Sequence, residues 1–191
     1  MPPIIYTFTH QSLNPLDPQM DQIRIEDIAH ALACCNRFAG HVREPISVAQ
    51  HSVYAAHLCP TDSLQALLHD ASEAYLGDVT KWLKATPEFT AYRLAEANLQ
   101  RKIYSKFGCA IEDSEEVKRA DNLLVRFEMN YGFNGSVTVG ALNPERDLHY
   151  PPLSSEEIES VNRLYRGYTY WGWKEAERRF LETYDYLTRS K

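Results

Sequence analysis

The chain has 191 residues, of which 44% are hydrophobic and 24% are charged, a composition typical of one soluble globular domain. Twenty Lys and Arg residues against 26 Asp and Glu residues give a formal net charge of −6. This balance disfavours binding to a nucleic-acid polymer, because such binding needs a basic face. It leaves a small anionic ligand open, since a few local cations or a metal ion can hold a phosphate group.

The cellular location can be predicted from what the sequence lacks. It contains no apolar run of the roughly 18 residues that a membrane span needs, and residues 1–10 lack the basic start and apolar core of a secretory signal. Four cysteines, Cys34, Cys35, Cys59 and Cys109, form no CxxC pair, which favours reduced thiols over a disulfide framework or a zinc ribbon. We therefore expect a cytoplasmic protein without a membrane partner.

Most predicted elements of the first half are helices. Residues 1–20 contain four prolines and predict an extended lead-in. Apolar residues at helical spacing predict a first helix over 24–33. Ser47 is the expected N-cap of a second helix that ends near Leu58. A clear apolar stripe predicts a third, continuous helix from Ser63 until Gly77 ends it.

The second half continues in the same way. Pro87 is predicted to open a long helix to Phe107, and residues 114–129 a further one. Residues 131–153 show no strong period and predict a long surface loop, with a weak strand signal at 136–139. The C-terminal segment 154–191 is predicted to contain two helices, the last from about 174 to 187. Together these elements predict an all-α fold, a single-domain helical bundle over residues 1–191.

The residues with metal-binding chemistry cluster in the predicted third helix. His69 and Asp70 are adjacent, and neighbouring side chains on a helix diverge by about 100°, so both can reach one ion above the helix surface. Glu73 follows His69 by four residues and therefore shares this face. A histidine and two carboxylates beside an apolar stripe are costly to bury unless a cation compensates them.

Two residues on other predicted helices strengthen this interpretation, because a His-Asp dipeptide alone occurs by chance in many chains. His51 lies on the second helix, whose antiparallel return would bring it across from His69. Asp121 lies beside the inward positions Ala120 and Leu124, where an unpaired carboxylate would be costly.

The order His51, His69-Asp70 and Asp121 resembles the H…HD…D signature of the HD-domain metal-dependent phosphohydrolases. Within that superfamily the chain is most similar to the small nucleotidase branch, the bacterial 5′-deoxynucleotidases and the phage-type dATP triphosphohydrolases. The resemblance covers roughly residues 24–128. Its further matching segments are residues 47–52, residues 69–73, Gly77-Asp78, Lys84 and Asn36-Arg37-Phe38, the last of which resembles the Asn-Arg-Trp segment of these enzymes.

The resemblance implies a metal centre of an HD-type bundle. His51, His69, Asp70 and Asp121 would hold one divalent ion, with Zn²⁺, Mn²⁺, Co²⁺ and Mg²⁺ all open. A second ion would be held partly by substrate phosphates, because the extra His pair of binuclear members is missing. Glu73 is the candidate acid/base residue, since it lies one helical turn from the ligands.

Five further residues are candidates for substrate binding. Arg37 and Lys84 would clamp phosphate, Phe38 would stack on the base, and Asp78 would accept a hydrogen bond from a ribose hydroxyl. Trp82 stands where the relatives usually carry proline, and its ring would narrow or floor the base pocket. Each of four residues also has a purely structural alternative. Arg37 would form a surface ion pair, Lys84 would be solvated, Phe38 would pack in the core, and Asp78 would only end the helix.

The implied activity is hydrolysis of deoxynucleotide 5′-phosphate esters by metal-activated water. The leading hypothesis is a dATP or dNTP triphosphohydrolase that releases a deoxynucleoside and triphosphate. The alternative is a 5′-deoxynucleotidase that acts on dNMPs. Missing second-metal ligands and a missing Gly-Tyr-Pro segment disfavour hydrolysis of an alarmone or a cyclic dinucleotide. The complete ligand set disfavours a non-catalytic, nucleotide-binding sensor module.

The resemblance to the HD-domain nucleotidases also implies that this chain forms a homo-oligomer. Residues 131–153 and the aromatic segment 165–173 are the candidate contact regions, although aromatic residues there can equally belong to the core.

Overall fold

The computed structural model describes residues 3–134, 154–165 and 168–189, and these residues form an all-α bundle, which confirms the predicted fold class. Two short strands, β1 (Ile5–Tyr6) and β2 (Ser12–Leu13), pair as an antiparallel hairpin. The α-helices are α1 (Ile25–Cys34), α2 (Val48–Leu58), α3 (Ser63–Leu68), α4 (Glu73–Leu76), α5 (Lys81–Lys84), α6 (Thr90–Phe107), α7 (Glu115–Asn134), α8 (Ser155–Tyr165) and α9 (Trp173–Arg189).

Helix α2 is the centre of the bundle. Ser47 is its N-cap, as predicted, because its side chain accepts a hydrogen bond from the backbone N–H of Gln50 at 3.1 Å. Every residue from Val48 to Ala56 is buried, and the helix contacts α1, α3, α7 and α9. A polar side chain on such a helix, His51 above all, must find its hydrogen-bond partners inside the protein.

The N-terminal segment differs from the predicted extended lead-in, because it contains the β1–β2 hairpin. Strands of two residues are too short to show a period, so the sequence pattern did not reveal them. Asp27 of α1 fixes the hairpin to the bundle, since its carboxylate accepts hydrogen bonds from the Thr9 backbone N–H at 2.6 Å and the Thr9 hydroxyl at 2.9 Å.

The prediction of a continuous third helix is wrong. Helix α3 ends at Leu68 and α4 begins at Glu73, with an irregular turn between them. Gln100 of α6 lies at this break, and its side-chain amide bonds both the carbonyl of Leu68 and the backbone N–H of Ser72. A side chain inserted between these two groups interrupts the helical hydrogen-bond ladder.

Helix α7 is longer than predicted. It continues to Asn134, so residues 131–134 are helical and not part of a loop. The carbonyl of Gly132 accepts a hydrogen bond from the Arg43 backbone N–H at 2.9 Å, a tertiary contact that supports this last turn despite its glycine. The rest of the predicted loop, 135–153, including the strand signal at 136–139, lies outside the described residues.

Smaller differences concern the middle of the chain. The short helix α5 was not predicted, and the stretch opened by Pro87 begins with a 3₁₀ turn (Pro87–Phe89) before α6. Helix α6 ends at Gly108, whose φ of 72° is the left-handed conformation that glycine favours at helix C-termini. Within the three described ranges, no helix is both long and apolar enough to cross a membrane.

Candidate metal centre

Four side chains from three parts of the bundle meet at one point. They are His51 of α2, His69 and Asp70 of the turn after α3, and Asp121 of α7. The Nε2 atoms of the two imidazoles lie 3.2 Å apart. Asp121 Oδ1 lies 3.2 Å from His51 Nε2 and 3.7 Å from His69 Nε2. Asp70 Oδ2 lies 3.2 Å from His69 Nε2 and 3.8 Å from His51 Nε2. Donor atoms of His51, His69 and Asp70 thus lie within 4.8 Å of one another, and Asp121 joins this group through its approach to the two imidazoles.

The hydrogen bond that each imidazole makes through Nδ1 orients its ring so that Nε2 faces this point. His69 Nδ1 lies 2.8 Å from the carbonyl oxygen of Ala66, and His51 Nδ1 lies 3.1 and 3.2 Å from the two carboxylate oxygens of Glu128. Both partners only accept, so each Nδ1 donates its proton, and each Nε2 is left to hold either a second proton or, with its lone pair, a metal ion. Metal-ligating histidines are held in this way. Two lone pairs and two carboxylate oxygens therefore fit the donor set of a divalent cation.

Glu128 is a site residue that the sequence interpretation missed. Its side chain is fully buried and accepts a hydrogen bond from Arg37 Nε at 2.7 Å as well as from His51. Arg37 Nη1 in turn lies 3.4 Å from Asp70 Oδ2. Glu128 follows Asp121 by seven residues on α7, a spacing that places both on one helix face. That spacing was the available signal.

With Glu73 protonated and both imidazoles neutral, as metal binding requires, the ion pairs around the centre carry an excess of negative charge. In the described part of the chain they join two permanent cations, Arg37 and Lys84, and the two histidines to five carboxylates, those of Asp70, Asp121, Glu128, Glu73 and Glu96. Burial lowers the pKa of both imidazoles, but the carboxylates outweigh it and raise the pKa of His51 and, further, of His69. A bound divalent cation would offset this excess of negative charge.

Glu73 lies beside the four-residue cluster in a buried position. Its Oε1 accepts a hydrogen bond from Lys84 Nζ at 3.1 Å, and Lys84 also donates to Glu96 at 2.6 Å. Burial, together with the charges of Asp70 and Asp78, raises the pKa of Glu73 to about 9 against the opposing effect of Lys84. Among the described residues, Glu73 Oε2 has no hydrogen-bond partner. A carboxyl group that keeps a proton near neutral pH is suited to acid/base chemistry.

A cavity of about 260 Å³ opens beside the centre. Its polar wall includes Asp70, Glu73 and Asp121. All five residues predicted to bind substrate also line this cavity: Arg37, Phe38, Asp78, Trp82 and Lys84. The cavity therefore has an apolar side, which includes Phe38 and Trp82, and a charged side next to the candidate metal centre.

The surroundings of these five residues bear on the alternatives that the sequence left open. Arg37 is buried in ion pairs yet still lines the cavity, and Lys84 is paired with two carboxylates instead of being solvated. Phe38 adopts a φ of 56°, a left-handed conformation that costs roughly 1–3 kcal/mol for a residue with a side chain and is concentrated at functional sites. Burial raises the pKa of Asp78. Trp82 is 50% exposed.

Comparison with known proteins adds relatives without an assigned activity. No family model matches the chain. The uncharacterized protein YfdR of Escherichia coli is 38% identical over 109 residues, which cover 56% of this chain and 60% of that protein. The uncharacterized protein RCAP_rcc00048 of Rhodobacter capsulatus is 35% identical over 118 residues, with the same coverage. The chain thus spans about 60% of the length of these relatives.

Proposed function

We propose that the chain is a metal-dependent phosphohydrolase that acts on deoxynucleotide 5′-phosphate esters. The observation that carries this proposal is the pair of imidazole Nε2 atoms, 3.2 Å apart, which face the same space as two carboxylates. His51, His69, Asp70 and Asp121 would hold the ion, and their nitrogen and oxygen donors suit Zn²⁺, Mn²⁺, Co²⁺ or Mg²⁺. When bound, the ion supplies an activated water and neutralises charge that develops on phosphorus. A second ion would be held partly by substrate phosphates.

The side chains around the proposed ion would donate a proton to the leaving group and bind the phosphate. Glu73 is protonated near neutral pH, so its Oε2 would give the proton that the 5′ oxygen needs when its bond to phosphorus breaks. Arg37 would bind a phosphate oxygen with the guanidinium that Glu128 and Asp70 hold in place. Lys84 would add a second positive charge at the same wall.

The apolar wall would bind the nucleoside. Phe38 and Trp82 line the cavity, and the half-exposed indole ring offers a surface on which a base can stack. Asp78 would accept a hydrogen bond from a deoxyribose hydroxyl.

The leading substrate is a deoxynucleoside triphosphate, dATP first, which would be converted to deoxynucleoside and triphosphate. A 5′-deoxynucleotidase acting on dNMPs is the second candidate, and two observations favour it. The cavity of about 260 Å³ is small, and Arg37 is already paired with two carboxylates and Lys84 with that of Glu96, which leaves little positive charge for three phosphates. A non-catalytic nucleotide sensor is the alternative that the assay must exclude.

The test is an assay of chelator-treated protein reloaded with Mn²⁺, Co²⁺, Zn²⁺ or Mg²⁺. Products from dATP, dGTP and dAMP are separated by reverse-phase chromatography. Release of deoxyadenosine and triphosphate from dATP supports the leading substrate, and turnover of dAMP alone supports the second. Metal and nucleotide binding without turnover favours the sensor, and protein that takes up no metal contradicts the whole proposal. Glu73→Gln is expected to bind metal but lose turnover, whereas Asp121→Asn loses both.

We also propose a cytoplasmic homo-oligomer. The thiols of Cys34, Cys35 and Cys59 form no disulfides, in keeping with a reducing compartment. Within the candidate contact segment 165–173, Tyr168 and Trp171 are buried in the core, whereas Trp173 is 47% exposed and is available for contact with a second copy. Light scattering coupled to size-exclusion chromatography measures the oligomeric state directly.

A further inference from the structure

The turn that carries His69 and Asp70 is shaped by a side chain from another helix. In a continuous helix the Ser72 backbone N–H would donate to the carbonyl of Leu68. Instead, Gln100 Nε2 donates to the Leu68 carbonyl at 2.7 Å, and Gln100 Oε1 accepts from the Ser72 N–H at 2.9 Å. The carboxamide therefore takes the place of one backbone hydrogen bond, and its orientation is determined, because a carbonyl only accepts and an N–H only donates.

This insertion changes the geometry of the turn. Four backbone hydrogen bonds span three residues here: Ala71 N–H donates to the Leu68 carbonyl and Glu73 N–H to the Asp70 carbonyl, both at 3.0 Å, and the N–H groups of Ala74 and Tyr75 donate in the same way at 3.3 and 3.1 Å. Turns of this type have about 3.0 residues per turn, whereas an α-helix has about 3.6. The wider angle per residue alters the directions in which His69 and Asp70 project from the backbone.

We propose that Gln100 is a positioning residue of the candidate metal centre: its carboxamide sets the turn that aims His69 Nε2 and Asp70 Oδ2 at one point. This inference rests on the proposed function. Helix α6 contributes no ligand to the candidate metal centre. It makes a second contact beside the centre four residues before Gln100, where Glu96 accepts a hydrogen bond from Lys84. Gln100 acts on the metal centre through the backbone, without contact to substrate or ion.

The variant Gln100→Met tests this role, because methionine has a similar length and can form neither hydrogen bond. Co²⁺ is titrated into the metal-free protein, and its visible spectrum reports affinity and ligand geometry. We expect metal affinity to fall about 10- to 100-fold, the range typical for residues that orient ligands. We also expect the Co²⁺ spectrum to change.

The matched control is Gln65→Met. The Gln65 side chain donates to the carbonyls of Ala110 and Glu112, both at 2.9 Å, and accepts from the Ser114 N–H at 3.3 Å. Its loss should lower the thermal midpoint in the same way but leave the Co²⁺ affinity and spectrum unchanged.

Each result has a distinct meaning. If the unmodified chain binds no Co²⁺, the proposed function fails. If it binds Co²⁺ and Gln100→Met matches it in affinity and spectrum, the positioning role is overturned while the proposed function stands. If Gln65→Met weakens binding equally, the effect is general destabilisation and the role is again overturned.

Should Gln100→Met not fold, Gln100→Glu replaces it, since its carboxylate still accepts from Ser72 but cannot donate to Leu68. An intermediate loss of affinity supports the role, and unchanged affinity overturns it.

Discussion

His51 and His69 face each other through their Nε2 atoms at 3.2 Å, while each Nδ1 proton is donated to an acceptor on the far side of its ring. Two neutral rings in this arrangement point lone pairs at each other. The contact is favourable only with an added proton or a cation at that point. Because Asp70 and Asp121 border the same space, the structure is stabilised by positive charge there.

Metal binding should therefore stabilise the fold. We expect Mn²⁺, Co²⁺ or Zn²⁺ at 100 times its dissociation constant to add about 2.7 kcal/mol to the free energy of unfolding, visible as a higher thermal midpoint in calorimetry. His69→Ala should abolish the response. His57→Ala is the control, because His57 is exposed and lies outside the four-residue cluster. An equal metal response in both variants would show that the ion binds elsewhere.

Glu128→Gln should damage both stability and metal binding. The substitution keeps the size of the side chain but leaves the buried Arg37 without its closest carboxylate, and we expect a loss of about 3 kcal/mol in the free energy of unfolding. It also weakens the acceptor of His51 Nδ1, so metal affinity should fall about 10-fold or more. Urea denaturation and metal titration measure the two effects. Glu115→Gln, at an exposed position of the same helix, should change stability by no more than about 0.5 kcal/mol.

Parts of this site were predictable from the sequence, and the reason differs from residue to residue. His51, His69, Asp70 and Asp121 belong to a recognisable motif, and Ser47 carried a local capping signal for α2. Glu128 was accessible through its helical spacing from Asp121. The role of Gln100 had no local signal, since it depends on a contact with residues 28 and 32 positions away.

Glu73→Gln should alter the pH dependence of stability in metal-free protein. The pKa of Glu73 is raised from 4.5 to about 9, mainly by burial, so the folded state holds a proton that the unfolded state releases between these pH values. The stability contributed by this group is therefore present at low pH and lost as the pH rises through that window. Glutamine cannot ionise, so the free energy of unfolding of the variant should rise relative to that of the unmodified chain as the pH rises from 5 to 9. We expect the difference to grow by up to about 1.4 kcal/mol for each pH unit in this window, the slope for one proton.

Thermal midpoints recorded in chelator between pH 5 and pH 9 measure this difference. Glu96→Gln is the control, because it removes the other carboxylate paired with Lys84 but keeps the buried Glu73. A constant difference between Glu73→Gln and the unmodified chain across the pH range would mean that Glu73 is already ionised at pH 5.

Gly132→Ala tests how α7 supports the segment that leads into α2. A Cβ at this position would lie 2.7 Å from Val42 Cγ1 and 3.1 Å from Val42 Cβ, so the two side chains cannot both keep their places. Displacing Val42 would disturb the hydrogen bond from Arg43 N–H to the Gly132 carbonyl and the fully buried Ile46. Against the roughly 1 kcal/mol that alanine gains over glycine in a helix, overpacking costs about 1–3 kcal/mol. We expect a net loss of stability.

The same argument predicts a smaller loss once the closest contact is removed. In a Val42→Ala background the 2.7 Å approach to Cγ1 is gone and the 3.1 Å approach to the Cβ of residue 42 remains, so Gly132→Ala should cost less stability there than in the unmodified chain. Urea denaturation of the two single variants and the double variant measures the coupling between the sites. If the two substitutions are simply additive, the contact between α7 and Val42 does not limit which residue fits at position 132.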